Sequence, residues 1–482
     1  MKWFLCVVLA VGAVSCSRRK VTGDADRVAP SSAAAASVTP SGPVLSYADV
    51  VDHVAPAVVT IRASQRVRAP QQFPFFDDPF FRQFFGGGMP RRQQPQTEVE
   101  HALGSGVLVR ADGYILTNDH VVNGAQDIKV DLNNKRTYSA KVVGMDAPSD
   151  LAVLKVNATE LPTLGLGDSD KVRVGDVVLA VGNPLGVGET VTNGIISAKG
   201  RSTDTGTGSF QDFLQTDAPI NRGNSGGALV NTRGELIGIN SQILSPNGGS
   251  IGIGFAIPSN MARGVMNQLI KGGKVQRGML GVTIQQITPD LASGLGLKEA
   301  KGILISGVQQ GGPAEKAGLR SGDVILQMNG KELDDSNELR NEVAAMGPGN
   351  DITLLVLRNG HRQEFHVKLG ELNEQNAEQQ NQQGGGNGSA AKLGVELSPL
   401  TSDLAQQLQL PHGVQGVVVT SVDPSGAAAE AGIQEGDVIE QVNRQQVKTP
   451  ADVRDAVAKS NGKPVLLLIN RGGQRVFVAV GQ

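Results

Sequence analysis

A glycine-rich turn around Ser225 carries the residues of this sequence that are best suited to chemistry. Residues 223–227 are Gly-Asn-Ser-Gly-Gly, between apolar, strand-like runs. A serine hydroxyl attacks a carbonyl carbon only when a base removes its proton and hydrogen-bond donors stabilise the oxyanion. Glycines let successive N–H groups point into one pocket, so the N–H groups of Gly223 and Ser225 are candidate donors. An ordinary turn between strands has a similar composition, so the assignment requires a matching base.

His120 is the best candidate for that base among the six histidines. It lies where an apolar, strand-like run ends and a short apolar helix could begin, which places the ring at the end of a strand rather than in a core. Asp150 directly precedes the apolar run 151–154, where a buried carboxylate can accept the imidazole N–H and orient the ring. Asp119 and Asp146 are alternatives, but neither leads into such a strand. The pattern predicts a Ser-His-Asp nucleophilic site.

Short apolar runs separated by turn residues surround these three positions. Such spacing favours an antiparallel barrel or sandwich, and one helix is expected over Met261–Lys271 with Ser259 as its N-cap. The predicted strands are Gly104–Val109, Gly113–Thr117, Ile128–Leu132, Thr137–Gly144, Leu151–Val156, Val177–Val181, Ile195–Ala198, Gly227–Val230, Leu236–Ile243 and Gly254–Ile257.

The length, composition and net charge of the chain limit the number of domains and the kinds of partner that are expected. A chain of 482 residues predicts about three domains. With 62 glycines and 4% aromatic residues, the composition favours many turns and short strands over long helices. A net charge of −2 argues against a nucleic-acid partner, because no broad basic surface is available. The two cysteines, Cys6 and Cys16, both lie near the N-terminus, so no disulfide is expected within the folded part.

Residues 1–16 have the pattern of a signal peptide. Lys2 precedes an apolar run that is too short for a permanent membrane span, and the run ends at Cys16. The ending is similar to that of bacterial lipoproteins, where cleavage leaves the cysteine as a lipidated N-terminus. Ordinary signal cleavage and a retained anchor are the alternatives. Lipoprotein cleavage and ordinary signal cleavage both place the protein in the periplasm or cell envelope. Lipoprotein cleavage would also anchor it to the membrane through lipidated Cys16.

Two further segments have the composition of loops or linkers. Residues 17–45 are rich in Ser, Ala, Thr and Pro and are expected to form a flexible tether. Residues 64–98 combine Pro, Gln, Gly and Arg with a cluster of phenylalanines, which favours either a disordered insert or a loop that contacts other subunits or unfolded substrates.

The C-terminal part repeats itself. The stretch 302–325 recurs as 416–439, with the same Ala-Gly and Gly-Asp-Val-Ile positions in both copies. Two α/β modules, 274–371 and 391–482, are the natural interpretation, because a solenoid would need more repeats. Residues 372–390 are Gln-, Asn- and Gly-rich and are expected to form the linker between them.

Three motifs together resemble the HtrA/Deg family of trypsin-fold serine proteases. They are Thr-Asn-Asp-His-Val-Val at 117–122, Ser-Asp-Leu-Ala-Val-Leu at 149–154 and Gly-Asn-Ser-Gly-Gly at 223–227. The two repeats resemble PDZ domains. The resemblance implies a mainly β protein: a trypsin-like double antiparallel β-barrel over 46–273, followed by two α/β PDZ domains. It makes His120 the base, Asp150 the orienting acid and Ser225 the nucleophile, with the N–H groups of Gly223 and Ser225 as the oxyanion hole.

The same resemblance assigns further roles. Ile220 and Ile243 match pocket-lining positions and imply a small apolar P1 residue. The 64–98 insert corresponds to the family's regulatory loop, and Arg201 matches a loop that transmits the PDZ signal. Two apolar-Gly-apolar loops are expected to bind the carboxylate of a C-terminal peptide, although the second module could serve assembly instead. The residues of these loops are Met279, Leu280, Gly281 and Val282, and Leu393, Gly394 and Val395.

These expectations combine into an ATP-independent serine endopeptidase of the cell envelope that degrades misfolded or unfolded proteins and is gated by its PDZ domains. No metal-binding motif or nucleotide-binding loop occurs in the sequence, so no cofactor or metal is expected. The resemblance implies homo-oligomers, as trimers or multiples of trimers, possible chaperone activity, and no nucleic-acid partner. Two alternatives are a holdase chaperone or scaffold with an idle catalytic site, and a signalling protease that cuts one partner.

Overall fold

The computed structural model describes the part of the chain that follows the N-terminal tether. The described residues are 46–67, 98–183, 189–203, 209–221, 223–245, 249–372, 389–390, 393–408, 410, 414–460 and 464–481. Cys16, the predicted signal and tether, and most of the 64–98 insert lie outside them.

The first closed antiparallel barrel has the strand order β1-β2-β3-β6-β5-β4. Alternating apolar side chains of these strands fill its interior, and Ile61, Leu116 and Leu154 are fully buried there. The strands are β1 (Val58–Val67), β2 (Glu98–Arg110), β3 (Tyr114–Thr117), β4 (Asp127–Asp131), β5 (Thr137–Asp146) and β6 (Leu151–Val156). The helices are α1 (Ala48–Val54) and α2 (Asp119–Val122), with 3₁₀ turns at Ala55–Ala57 and Ala147–Ser149.

The second closed antiparallel barrel has the strand order β10-β11-β12-β9-β8-β7. Its strands are β7 (Val177–Gly182), β8 (Thr190–Arg201), β9 (Phe213–Thr216), β10 (Ala228–Asn231), β11 (Leu236–Ile243) and β12 (Gly254–Pro258), with a 3₁₀ turn at Ser169–Lys171. Two closed six-stranded barrels confirm the fold class that the resemblance implied.

Helix α3 (Ser259–Gly272) follows the second barrel and begins earlier than predicted. Ser259 is not its N-cap: Pro258 precedes the helix, and the hydroxyl of Ser259 donates to the carbonyl oxygen of Gly167 at 2.9 Å. The N-cap prediction was wrong because the serine hydroxyl binds a distant backbone oxygen rather than its own helix. The helix ends where predicted, at Gly273 with a positive φ of 69°.

The first repeat forms a sheet with the order β14-β15-β16-β18-β19, in which β14 is an edge strand. The short helices pack on this sheet, and α6 lies beside β14. Its elements are β13 (Gly278–Met279), β14 (Val282–Gln286), α4 (Pro289–Leu295), β15 (Ile303–Val308), α5 (Pro313–Lys316), β16 (Val324–Met328), β17 (Lys331–Glu332), α6 (Ser336–Met346), β18 (Asp351–Arg358), β19 (His361–Lys368) and β20 (Gly370–Glu371).

The second repeat has the order β21-β22-β23-β24-β26-β27. Its elements are β21 (Ser389–Ala390), β22 (Val395–Pro399), α7 (Ser402–Gln407), β23 (Val417–Val422), α8 (Ala427–Glu430), β24 (Val438–Val442), β25 (Gln445–Gln446), α9 (Pro450–Ala458), β26 (Val465–Arg471) and β27 (Gln474–Val480). Strand β21 consists of the last two residues of the predicted linker, and it pairs with the edge of β22.

The two repeats pack against each other through a shared apolar cluster. Leu291 and Leu304 of the first repeat and Leu468 and Phe477 of the second belong to it. The side chain of Gln285 on β14 also binds both backbone groups of Phe477, accepting from the N–H at 2.9 Å and donating to the oxygen at 2.8 Å. The edge strand β14 is therefore held directly by the second repeat.

Candidate active site

His120 and Asp150 form a close pair at the end of the first barrel. His120 lies on α2, directly after β3, and Asp150 ends the 3₁₀ turn that leads into β6. The imidazole Nδ1 lies 2.8 Å and 2.9 Å from the two carboxylate oxygens of Asp150. Oδ1 of the same carboxylate also accepts the backbone N–H of His120 at 3.2 Å. A carboxylate in this place orients the ring so that Nε2 is left for another partner.

The electrostatics of this pair favour proton acceptance by His120. Burial alone lowers the pKa of His120, but the charge and hydrogen bond of Asp150, with a smaller contribution from Asp119, raise it above its usual 6.5. Asp119 is itself buried, and this burial raises the pKa of its carboxyl group despite a hydrogen bond from Asn123. The site therefore stabilises the imidazolium that a general base must form.

Ser225 lies in the turn before β10, so that the second barrel supplies it. Its side chain is 5% exposed, and its hydroxyl donates to the backbone oxygen of Ser241 at 3.0 Å. No hydrogen bond joins Ser225 to His120 in this structure, although both residues are described. Ser241 in turn donates its hydroxyl to Oδ2 of Asp150 at 2.8 Å. A continuous series of hydrogen bonds therefore runs from Ser225 through Ser241 and Asp150 to His120.

The turn around Ser225 leaves two donors free for a ligand. The N–H groups of Gly223 and Ser225 bind no acceptor among the described residues, whereas Gly226 donates its N–H to Asn240 at 2.8 Å. Gly223 has a φ of +95°, which favours glycine. Gly226 must also be glycine, because a Cβ there would lie 2.2 Å from the backbone oxygen of Ser105.

Ser105 fixes this turn from the first barrel. Its hydroxyl donates to the carbonyl oxygen of Gly223 at 2.5 Å and accepts the N–H of Asn183 at 2.9 Å. Its own backbone N–H donates to the carbonyl oxygen of Ser225 at 2.8 Å. These bonds connect the Ser225 turn of the second barrel to strand β2 of the first.

The remaining predicted site residues lie at different depths. Ile220 and Ile243 are 1% and 2% exposed and pack in the apolar core of the second barrel. Arg201 is exposed at the end of β8. The structure therefore links Ser225, Asp150 and His120 through Ser241, while their catalytic roles and the pocket and regulatory roles of Ile220, Ile243 and Arg201 remain predictions.

The two predicted peptide-binding loops have the same backbone geometry. Gly281 and Gly394 have φ values of 76° and 73°, which favour glycine. In the first repeat, the carbonyl oxygen of Leu280 accepts the N–H of Ala314 at 2.9 Å, and in the second repeat that of Leu393 accepts from Ala428 at 3.0 Å. Leu280 and Leu393 are both buried. Met279 and Val282 flank the first loop, and Val395 begins β22 after the second.

Sequence reasoning missed Ser241 and Ser105. Neither residue lies in a recognisable motif: Ser241 stands at an irregularity in the pairing of β11 with β12, and Ser105 stands between two glycines. Both are buried, at 3% and 0% exposure. A buried hydroxyl in a barrel strand needs a hydrogen-bond partner, which is the one signal that singles them out. Their partners, Asp150 and Gly223, are distant in sequence.

No helix of the described residues has the length and apolar character needed to cross a membrane. In the same part of the chain, no group of three or more His, Cys, Asp or Glu side chains is arranged to hold a metal ion.

Three family models match the chain, in the order that the fold shows. Residues 104–239 match the trypsin-like peptidase domain, and this range includes the candidate triad. Residues 278–369 and 418–471 each match a PDZ domain. The PDZ matches coincide with the two repeats, which are called PDZ1 and PDZ2 from here on.

Relatives cover nearly the whole chain. A probable periplasmic serine endoprotease, DegP-like, of Brucella suis biovar 1 (strain 1330) is 42% identical over 95% of this chain and 94% of its own. The periplasmic pH-dependent serine endoprotease DegQ of Escherichia coli (strain K12) is 41% identical over 92% of each chain.

The chain is also similar to solved structures of HtrA-type proteases. The HtrA-type protease AlgW with a decapeptide is 48% identical, with a TM-score of 0.54 over 68% of this chain and 99% of its own. The same protease with a tripeptide is 45% identical, with a TM-score of 0.55 over 68% of this chain and 98% of its own. The chain is a serine endoprotease that belongs to the HtrA/DegP-like family, with a trypsin-like domain and two PDZ domains.

Proposed function

We propose that Ser225 is the nucleophile, His120 the general base and Asp150 the residue that orients it. The observation that carries this proposal is the continuous series of hydrogen bonds from the Ser225 hydroxyl through Ser241 to the Asp150–His120 pair. It links a serine of the second barrel to an imidazole and a carboxylate of the first. These are the groups that peptide hydrolysis through an acyl-enzyme requires.

The reaction begins when Ser225 rotates from the Ser241 carbonyl toward His120. His120 takes the hydroxyl proton as Ser225 attacks the peptide carbonyl, and the N–H groups of Gly223 and Ser225 stabilise the oxyanion. The imidazolium then protonates the leaving amine. Water hydrolyses the acyl-enzyme with His120 again as the base. Since the serine starts from another hydrogen bond, the resting site must reorganise before the first step.

Cleavage after small apolar residues follows from the assignment of Ile220 and Ile243 to the substrate pocket. Both are apolar, and no charged residue stands beside Ile220 in the segment 218–220. Their near-complete burial here means that a P1 side chain such as valine or alanine would enter only after these residues shift. This agrees with a resting site that substrate or ligand must open.

PDZ1 is the better candidate for binding C-terminal peptides. The unpaired edge of β14 lies beside α6, and the loop of Met279, Leu280, Gly281 and Val282 lies at its start. An extended peptide can add to such an edge as a further strand. The related AlgW structures contain a decapeptide and a tripeptide. In PDZ2 the corresponding edge of β22 pairs with β21, so an assembly role remains the alternative for Leu393, Gly394 and Val395.

Contacts between α6 and the protease domain support gating by PDZ1. The side-chain amides of Asn337 and Asn341 both donate to the backbone oxygen of Gln211, each at 2.7 Å. The neighbouring ring of Phe210 lies 4.7 Å from the guanidinium carbon of Arg340. The N–H of Phe210 donates at 2.7 Å to Pro148, in the 3₁₀ turn that ends at Asp150. A peptide that shifts α6 would therefore act on the turn that carries the orienting acid.

The family and the relatives support proposals for the substrates, the assembly and the location. We propose that the protein degrades misfolded or unfolded envelope proteins and also has chaperone activity. We propose further that it assembles as a homo-oligomer, either one trimer or a multiple of trimers. The names of the Brucella and Escherichia relatives place those proteins in the periplasm, which supports the same location for this one. Lipidation of Cys16 and the regulatory roles of Arg201 and the 64–98 insert remain proposals.

Cleavage of an unfolded model protein tests the function. A soluble form without residues 1–16 should cut it after valine or alanine, whereas Ser225→Ala should be inert, and mass spectrometry should locate the cuts. If both forms are inert but suppress aggregation, the holdase alternative is favoured. Cleavage of one native partner but not of unfolded protein would favour the signalling protease. Equal cleavage by both forms would reject the triad assignment.

A further inference from the structure

The backbone of Asp150 adopts an uncommon conformation. Its φ and ψ are 53° and 44°, in the left-handed region that non-glycine residues seldom occupy. This turn ends the 3₁₀ segment, where the N–H of Asp150 donates to Ala147 at 3.0 Å, and it starts β6 at Leu151. The conformation aims both carboxylate oxygens at His120. A left-handed residue persists only where surrounding contacts hold it.

Asn118 supplies such a contact. Its side chain is fully buried, and its amide donates to the carbonyl oxygen of Asp150 at 3.0 Å. This bond restrains the peptide unit between Asp150 and Leu151, and hence the direction in which the carboxylate leaves the backbone.

The position of Asn118 makes this contact unexpected. Asn118 is the N-cap of α2, where an asparagine side chain normally accepts an N–H of its own first turn. It makes no such capping bond. The N–H of His120, at the second helical position, instead donates to Oδ1 of Asp150 at 3.2 Å. Asp150 thus caps the helix that carries the base, while the residue at the N-cap position binds the backbone of Asp150.

We infer that Asn118 is a positioning residue for proteolysis: by donating a hydrogen bond to the backbone oxygen of Asp150, it holds the orienting carboxylate against the helix that carries His120. Asn118 touches neither substrate nor the reacting atoms and acts through Asp150 alone. The inference rests on the proposed roles of Asp150 and His120. Under this inference, proteolysis needs Asn118 in addition to Ser225, His120 and Asp150, and it needs the side-chain N–H donor of Asn118 rather than the volume of that side chain.

Asn118→Ser is the main test variant. Serine is as good an N-cap as asparagine, so α2 can still begin at the same residue, but its hydroxyl is too short to reach the carbonyl of Asp150. Asn118→Ala removes the donor together with every other polar atom of the side chain. Asn470→Ala is the matched control, because Asn470 is a buried asparagine of PDZ2 whose amide donates at 2.9 Å to Glu440.

The rates should be measured on a dye-quenched unfolded protein, with thermal unfolding in parallel. Asn118→Ser should lower kcat by about tenfold or more at an unchanged KM, because the carboxylate that orients His120 is held less firmly while substrate contacts are untouched. The contact with Asp150 raises the pKa of His120. The acid limb of kcat/KM should therefore move to lower pH in Asn118→Ser but not in Asn470→Ala.

Three outcomes would overturn the role of Asn118. A further outcome, measured on Ser225→Ala, would overturn the proposed triad instead. A rate within twofold of the parent would show that the donor is not needed. A lower rate with an unmoved acid limb, or an equal loss of rate in Asn470→Ala, would show a loss of stability only. If Ser225→Ala cuts as fast as the parent, the proposed triad itself fails. If Ser225→Ala is inert while Asn118→Ser is fully active, only the role of Asn118 fails.

Discussion

Arg277 and Asp146 form a buried, two-pronged ion pair between the segment that enters PDZ1 and the first barrel. Nη1 lies 2.9 Å from Oδ1 and Nη2 lies 2.5 Å from Oδ2, and the side chains are 7% and 5% exposed. Asp146 also accepts the N–H of Ser149 at 3.2 Å and so caps the 3₁₀ turn that ends at Asp150. The guanidinium of Arg277 stacks on Phe210, at 4.5 Å from the ring centre. The start of PDZ1 is thereby joined to the turn of the orienting acid.

Arg277→Ala should destabilise the protease domain by about 3–5 kcal/mol, because it leaves the buried carboxylate of Asp146 without its counter-ion. The rate of cleavage should fall with it, since the 3₁₀ turn loses a fixed cap. Arg471→Ala, which breaks the Arg471–Asp437 pair of PDZ2, is the control and should leave the rate unchanged. Thermal unfolding and initial rates measure both effects. An unchanged unfolding temperature in Arg277→Ala would contradict the structural role of the pair.

The pH dependence of cleavage should report the Asp150–His120 contact. His120 must be neutral to accept a proton, so activity is lost as pH falls below its pKa. Because Asp150 raises that pKa, the loss begins at higher pH than for a free imidazole. Asp150→Asn should shift the acid limb of kcat/KM to lower pH and lower kcat by about 10³–10⁴. Asp119→Asn should shift the limb in the same direction but less. An acid limb that Asp150→Asn leaves in place would show that another group titrates.

Asp212 should make the docking of PDZ1 sensitive to pH. Burial, together with repulsion from Glu338 and Asp170, raises the pKa of Asp212 from 3.8 to about 6, against the attraction of Lys199 and Lys331. Its stabilising contribution is therefore complete below about pH 4 and is lost as pH rises through 6. The free energy of unfolding should fall between about pH 4 and pH 6 and change little above that.

Asp212→Asn should remove that dependence and raise the free energy of unfolding at pH 7 by about 1–2 kcal/mol. Denaturant unfolding at pH 5, 6 and 7 measures the effect. Asp351→Asn, at an exposed position of β18 in PDZ1, serves as the control. If the free energy of unfolding changes with pH in the same way for the parent and for Asp212→Asn, Asp212 does not titrate in this range.

The contacts of α6 predict how PDZ1 restrains the protease. Asn341→Ala removes one of the two donors to Gln211, and Asn337→Ala removes the other. If these bonds hold the resting state, basal cleavage should rise about threefold to tenfold, and stimulation by a peptide with an apolar C-terminus should shrink. Asn359→Ala, in the turn between β18 and β19, is the control, because the Asn359 side chain accepts from Arg444 of PDZ2 and not from the protease domain. Basal rates at or below the parent value in both donor variants would contradict gating through this contact.

The sequence predicted the parts of the site that depend on local pattern. His120, Asp150 and Ser225 each stand at a strand end or in a glycine turn, and strand ends are visible in the alternation of apolar and turn residues. Most of the barrel strands were predicted for the same reason, but β9 was missed, and β2 is longer than predicted because its first half pairs with β1.

What the sequence could not show depends on contacts between distant segments. Ser241, Asn118 and Arg277 act through partners that lie far away in the chain, and no local spacing marks them. Ser259 satisfies the local rule for an N-cap but binds Gly167 instead. The pairing of β21 with β22 is another example, because two residues of a Gln-rich linker have no strand pattern of their own.

Covalent labelling of the nucleophile tests the central claim most directly. A valine-based aryl phosphonate, which reacts with activated serines, should label the parent protein at Ser225, and peptide mass spectrometry should locate the adduct there. The His120→Ala variant, in which no base activates the hydroxyl, should remain unlabelled under the same conditions. Labelling at another residue, or equal labelling of the parent and His120→Ala, would contradict the account.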